Sequence, residues 1–434
     1  MRGIGHIYRT VRHSPLIIDS IWALIGNAIG KLCALIAGIF IARFLGRDIY
    51  GEYSVIRNTL FIIAVFSTFG LGYSATKFIA EYIGKPEIRN IIKIINKITI
   101  YTSGIIAVIV FFFSDTIAAL LKIQELSSAI KLLAIIIIFN AITTTQIGVL
   151  AGFKAFKTLS INNIYSGLIT LLGTVILTLL YNFNGALQAL LIAQIFNCII
   201  NWFAVRKILS SYQKYSVNEP GLAKKIISFS IPIALQEALY SVSSWIIMFI
   251  MANYSNYGQI GINSAVTQWI NIIMFIPSIL RNVILAYLSG MSENSTERAH
   301  TLKSVIIVNF ISTAIPVILV IAIAQYIISL YGPSFSMMKP ALIIGITSTV
   351  FNSLNGVLSQ EFIARGKNWS IFIIGLCREC IYIIITYTLL VTYNSIDNGA
   401  LYVSIAYTSS IIVALILSSI LYMHISSNHK LQAS

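Results

Sequence analysis

Charge is scarce in this sequence. Asp, Glu, Lys and Arg make up 10% of it, against about 25% in a typical soluble domain, so a water-soluble globular protein is excluded. Acid is scarcer than base: 14 Asp and Glu stand against 29 Lys and Arg. There are four cysteines, Cys33, Cys198, Cys377 and Cys380, all inside apolar runs. A redox or metal role needs exposed thiolates and further ligands, so the C-x-x-C spacing of Cys377 and Cys380 is expected to be helix packing. His6, His13, His300, His424 and His429 fall in or near the connections, which leaves no histidine for a proton relay at mid-membrane. No H-E-x-x-H, zinc-ligand spacing or nucleophile elbow is present. Gly26 to Lys31 reads G-N-A-I-G-K, one residue short of a phosphate-binding loop, with Leu32 where Ser or Thr is required. No connection is long enough for a catalytic domain. The chain is therefore expected not to be an enzyme and to bind no metal.

What the sequence does contain is long apolar runs. Of its 434 residues 57% are hydrophobic, and the mean hydropathy is +0.87. Runs near 20 residues are long enough to cross a bilayer. Twelve such spans are expected, near 17–43, 52–74, 95–114, 129–152, 163–183, 185–205, 226–253, 262–288, 303–330, 340–363, 369–392 and 399–423. The first run is too long for a signal-peptide core and is expected to stay as an uncleaved helix. The longest connection, Arg206 to Lys225, divides the chain into residues 1–215 and 216–434, six spans each. An even span count gives the halves the same orientation, related by an axis along the membrane normal. The fold class expected is an all-α polytopic membrane protein, with twelve transmembrane helices in two six-helix bundles around a central cavity.

The surplus of cations follows the positive-inside rule. Arg2, Arg9, Arg12, Lys85, Arg89, Lys93, Lys97, Arg206, Lys207, Lys214, Lys224, Lys225, Arg298 and Arg365 fall on one set of connections. Arg43, Arg47, Lys122, Lys131 and Lys339 fall on the other. The bias places both termini in the cytoplasm, and the charge needs no nucleic acid to explain it. Between Lys85 and Lys97 the cations recur every four residues among isoleucines. That pattern fits a helix lying on the lipid surface, or an extension of the third span.

A few ionisable residues fall inside the spans: Lys31, Glu237, Arg281, Arg378 and Glu379. A charge at mid-membrane costs about 2.5–3.5 kcal/mol and usually faces a bundle interior or a watery cavity. Asp19, Ala23, Asn27 and Lys31 share one helical face. Gly26, Gly30, Ala34 and Gly38 form a small-residue stripe beside it, suited to close helix packing. Lys31, with Asn27, is expected either to line a substrate path or to pair with a partner helix. Arg378 and Glu379 are adjacent, so their side chains are expected to diverge. Polar stripes also run along Glu237, Tyr240, Ser241 and Ser244, along Asn263, Thr267 and Asn271, and along Asn352, Asn355 and Ser359. They either line a hydrated cavity or join helices. Trp269, deeper than the other tryptophans, is a candidate for stacking on a sugar or lipid. Pro232, Pro277 and Pro316 fall inside spans of the second half only.

Two motifs carry a resemblance. Ala42-Arg43-Phe44-Leu45-Gly46-Arg47-Asp48-Ile49-Tyr50-Gly51-Glu52-Tyr53, followed by the stretch from Phe69-Gly70-Leu71-Gly72-Tyr73-Ser74-Ala75-Thr76-Lys77 to Tyr82, resembles the opening of Wzx-type O-antigen and polysaccharide flippases. These belong to the multidrug/oligosaccharidyl-lipid/polysaccharide exporter superfamily. Phe229 to Pro232, Phe275-Ile276-Pro277 and Tyr331-Gly332-Pro333-Ser334-Phe335 resemble later segments. The resemblance implies movement of an undecaprenyl-pyrophosphate-linked oligosaccharide from the cytoplasmic to the periplasmic leaflet of a bacterial inner membrane, by alternating access. It implies a polysaccharide polymerase and chain-length machinery as partners. No cofactor is expected, and a proton or sodium gradient is a candidate energy source. Lys31, Asn27, Arg281 and Arg378 are then candidate substrate contacts, and Glu237 and Glu379 candidates for ion coupling. An ion-coupled multidrug exporter of the same superfamily is the alternative.

Overall fold

The computed structural model describes residues 15–121, 127–212, 221–289, 296–365, 367–393 and 396–433. Among them the chain forms fourteen α-helices and no strand. In order they are α1 (Pro15–Thr68), α2 (Leu71–Glu81), α3 (Ile88–Phe112), α4 (Ser114–Leu120), α5 (Ser127–Gly152), α6 (Phe156–Ser210) and α7 (Leu222–Tyr254). Then come α8 (Tyr257–Ile273), α9 (Phe275–Ser289), α10 (Thr296–Ala322), α11 (Ala324–Tyr331), α12 (Met338–Ala364), α13 (Asn368–Tyr393) and α14 (Gly399–Ala433).

Eight helical runs among the described residues are long and apolar enough to cross a membrane. Two of them, in α1 and α6, each hold two expected spans. α1 breaks at Gly46 (φ 80°, ψ 168°) and α6 at Asn182 (φ 52°, ψ −129°). At the second break a Cβ on Gly185 would strike the carbonyl of Leu177. Residues eight apart in a straight helix are separated by about 12 Å, so the chain folds back there. The eighth span is made of two helices, α8 and α9, parted at Met274. Pro277 sits in the first turn of α9, where its missing N–H costs no helical bond. Pro316 stays inside α10 without ending it. The protein is an all-α, multi-pass membrane protein.

The chain divides into two compact units. The first holds the described residues up to Ile41 together with Val55–Trp245; the second holds Ala42–Ser54 and the described residues from Ile246 on. In the first unit α2, α3, α5, the end of α6 and the start of α7 enclose a core of Leu71, Phe78, Ile79, Ile91, Ile95, Leu150 and Ile226. α3 begins at Ile88 and runs unbroken to Phe112. The basic stretch before Lys97 is thus an extension of the third span, with Ile91 and Ile95 fully buried. Arg89 donates from Nη2 to the carbonyls of Leu209 and Tyr212, at 2.5 and 3.0 Å, closing the end of α6. In the second unit α12 packs against α8, α9, α10, α13 and α14 and forms the centre.

Candidate functional site

The Lys31 groove lies in the first unit, between α1 and α6. The small-residue stripe lets the helices come close. A Cβ on Gly26 would overlap Ser160, and a Cβ on Gly167 would come within 3.0 Å of the Gly30 Cα. Above this floor is a groove of about 260 Å³ lined by Asn27, Gly30, Lys31, Ala34, Asn163, Ser166, Gly167 and Thr170. Asn163 donates its side-chain amide to Asn27 Oδ1 at 3.1 Å. Thr170 donates to the Ser166 carbonyl at 2.7 Å. The groove thus combines one ammonium with amide and hydroxyl groups and no carboxylate. Such a wall can hold a phosphate or sugar oxygens through charge-assisted and neutral hydrogen bonds. Of the residues singled out in the sequence it unites Lys31 with Asn27. Asp19 and Ala23 share the helix, but their side chains lie outside the described residues, as does that of Arg281 on α9.

Glu237, half-buried on α7, shares a side-chain hydrogen bond with Tyr73 of α2 in the same unit. The surrounding contacts join two segments of the signature motifs. Ser74 and Ser230 hydroxyls are 2.6 Å apart, the Phe78 and Phe229 rings are 6.0 Å apart, and Lys77 Nζ lies 4.1 Å from the Phe229 ring centroid.

Arg378 and Glu379, in the second unit, do not diverge as expected. Arg378 donates to Glu379 Oε1 from Nε at 3.0 Å and from Nη2. The Cα–Cβ bonds do diverge, but the long arginine stem bends back and brings its planar fork to the carboxylate. The pair is locally neutral. Cys377 and Cys380, expected to pack, are exposed on the surface of α13.

A second group of charges was not foreseen. Glu361 of α12 is fully buried and receives Arg298 through Nε at 2.9 Å and Nη2 at 3.0 Å, and Arg365 through Nε at 2.5 Å. Arg298 Nη1 also donates to the Leu288 carbonyl at 2.9 Å. Arg298 and Arg365 read as ordinary connection cations in sequence. Their burial was legible only in the helical spacing of Glu361 and Arg365.

The remaining polar stripes divide. Asn355 is buried and accepts from Ser418 of α14 at 2.8 Å, a joint between helices. Tyr240 is exposed while Ser241 is buried, so the α7 stripe turns partly inward. Trp269 donates to the Tyr331 hydroxyl at 3.1 Å, within an aromatic group of Tyr331, Phe335 and Tyr50. Gln268 donates to the Tyr50 hydroxyl at 2.6 Å. Among the described residues no cluster of His, Cys, Asp and Glu is arranged to hold a metal.

Residues 16–292 match the family described as polysaccharide biosynthesis protein. A Shigella flexneri protein described as a candidate O-antigen transporter is 24% identical over 315 residues, which is 70% of this chain and 73% of that protein. Two solved structures share the fold. An inward-facing multidrug resistance MATE family transporter of the MOP superfamily has a TM-score of 0.75 at 15% identity, covering 95% of this chain and 99% of its own. The lipid II flippase MurJ, in an inward closed conformation, has a TM-score of 0.74 at 15% identity, covering 94% of this chain and 87% of its own.

Proposed function

Because the chain belongs to the polysaccharide biosynthesis protein family, we propose that it is a flippase for a lipid-linked oligosaccharide. The substrate is an undecaprenyl-pyrophosphate-linked repeat unit, of O-antigen or a similar surface polysaccharide. It moves from the cytoplasmic to the periplasmic leaflet of a bacterial inner membrane by alternating access, with both termini in the cytoplasm and no covalent chemistry. The observation that carries this reading is the groove of Lys31, Asn27, Asn163, Ser166 and Thr170, a cationic, acid-free wall within a membrane-spanning unit. It suits pyrophosphate or acidic sugars, whereas a path for organic cations requires carboxylates. The sequence similarity to a candidate O-antigen transporter supports the same substrate class.

Arg281 and Arg378 are further candidate substrate contacts, the latter with its charge already balanced by Glu379. Glu237 and Glu379 are the carboxylates through which a proton or sodium gradient would couple. Glu237 enters with a neutral phenol as its hydrogen-bond partner and Glu379 with a guanidinium. A polymerase and chain-length machinery would receive the flipped unit.

The test is deletion of the gene in its host, complementation, and electrophoresis of the surface polysaccharide. Wild type should restore the long-chain ladder. Lys31→Ala, expressed to the same level, should lower ladder formation about tenfold or more, the scale of one charge-assisted contact. A normal ladder with Lys31→Ala removes Lys31 from the mechanism. An unchanged ladder on deletion, together with sensitivity to cationic dyes relieved only when Glu237 is intact, selects the drug-exporter alternative.

A further inference from the structure

Arg43 belongs to the opening signature, yet the transport reading gives it no part. It lies in the second unit, beside the end of α11. Nη1 of its guanidinium donates to the carbonyls of Ser329 and Leu330 at 3.1 and 3.4 Å. These carbonyls belong to the last turn of α11, where intrahelical donors run out. Gly332, at φ 95°, ends the helix. A Cβ there would meet the Arg43 stem at 3.7 Å. One nitrogen thus fixes the guanidinium, while Nε and Nη2 make no hydrogen bond to the described residues.

The guanidinium forms one wall of a cavity of about 360 Å³, completed by Gln325, Ile328, Ser329, Gly332, Pro333 and Ser336. That size lies within the usual range of ligand pockets, about 300–1,000 Å³. No carboxylate lines it. The Gln325 amide and Ser336 hydroxyl make no hydrogen bond to other described residues and are exposed. Ile328 and Pro333 supply apolar wall beside them. Tyr326 and Leu330, on the same short helix, are 75% and 49% exposed. A fixed guanidinium edge is matched to a phosphoryl oxygen pair, and an adjoining apolar surface suits a lipid tail.

We propose that this pocket is a binding subsite for a lipid-borne phosphoryl group, with Arg43 as its anchor and Gln325 and Ser336 as supporting donors. The group has two sources, a bilayer phospholipid headgroup or the pyrophosphate of a polyprenyl carrier. The phosphoryl chemistry stands without the transport reading; only the second source rests on it.

The experiment is a lipid titration of the full-length protein in detergent, read by native mass spectrometry. The probes are phosphatidylglycerol, undecaprenyl pyrophosphate and diacylglycerol, the last lacking phosphate. Arg43→Gln should weaken binding of a phosphoryl lipid about tenfold or more, as expected for loss of a charged hydrogen-bond donor. Gln325→Ala with Ser336→Ala should weaken it severalfold while leaving thermal unfolding unchanged, because neither side chain holds the helix end. Lys131→Gln, a cation of the other unit, should change nothing. Arg43 dependence for undecaprenyl pyrophosphate alone assigns the site to the carrier; dependence for phosphatidylglycerol as well assigns it to the bilayer lipid. Wild-type affinity for both phosphoryl lipids in Arg43→Gln and in the double variant overturns the proposal, as does equal Arg43 dependence for diacylglycerol. Binding is read without transport, so a failed ladder test leaves this result standing, and the reverse.

Discussion

Glu361 is fully buried with two guanidinium groups upon it. Taking these charges out of water is costly, and their mutual attraction offsets that cost only while every partner is present. Removing the carboxylate leaves Arg298 and Arg365 buried against each other. Glu361→Gln should therefore destabilise the protein by about 3–5 kcal/mol, seen as a lower thermal midpoint in detergent. Replacing Arg298, Glu361 and Arg365 together by apolar residues of similar volume should recover much of that loss. If Glu361→Gln melts like wild type, the cluster does not hold α9, α10 and α12 together. Lys31 belongs to the opposite case, since it lies exposed in its groove. Lys31→Ala should leave the melting midpoint near wild type while transport falls. The two charges thus separate stability from function by their burial.

At the scale of elements, residues 47–51 and the start of α8, residues 257–261, pack on one another within the second unit. A Cβ on Gly51 would overlap the Tyr257 carbonyl, and a Cβ on Gly261 would overlap the Arg47 carbonyl. The backbones approach so closely that only glycine fits. Gly51→Ala should cost about 1–3 kcal/mol by overpacking. Gly104, in α3, has open space where a Cβ would stand. Gly104→Ala should be neutral, or stabilising by about 0.5–1 kcal/mol through helix propensity. Both variants are read by thermal unfolding; equal effects would show that helix contact is not what sets these glycines apart. Pro277 lies in the first turn of α9 rather than bending a continuous span. Pro277→Ala is accordingly expected to lengthen or join helices near Met274. Full transport in that variant would count against a bending role for this break.

At the scale of the molecule, a multi-pass helical fold and membership of the polysaccharide biosynthesis protein family frame the proposed transport. The carboxylates provide the test of energy coupling. Glu237→Gln should abolish the dependence of ladder formation on the ion gradient if that side chain exchanges the ion. Glu379→Gln should instead leave Arg378 without its carboxylate and lower stability first. Transport measured in cells treated with a protonophore, against untreated cells, distinguishes the two. Gradient dependence unchanged in Glu237→Gln would take that residue out of the coupling step.

The sequence by itself determined the fold class, because hydrocarbon leaves a spanning backbone almost no alternative to the helix. It also singled out Lys31 and its small-residue stripe, since helical spacing alone puts those residues on adjoining faces. The opening signature was legible as a string, but not the two groups of contacts its parts make. Ser74 meets Ser230, and Arg43, Gly46 and Tyr50 meet the segment from Ser329 to Phe335. Those partners lie far apart in sequence, and only packing brings them together. Tertiary structure likewise decided which polar residues face a groove and which join helices, and which cations are paired. Arg298 and Arg365 look like any positive-inside residues until α12 places Glu361 between them. The physical reason is the same in each case: periodicity fixes the face a residue occupies on its own helix, but the neighbour that face meets is set by long-range packing.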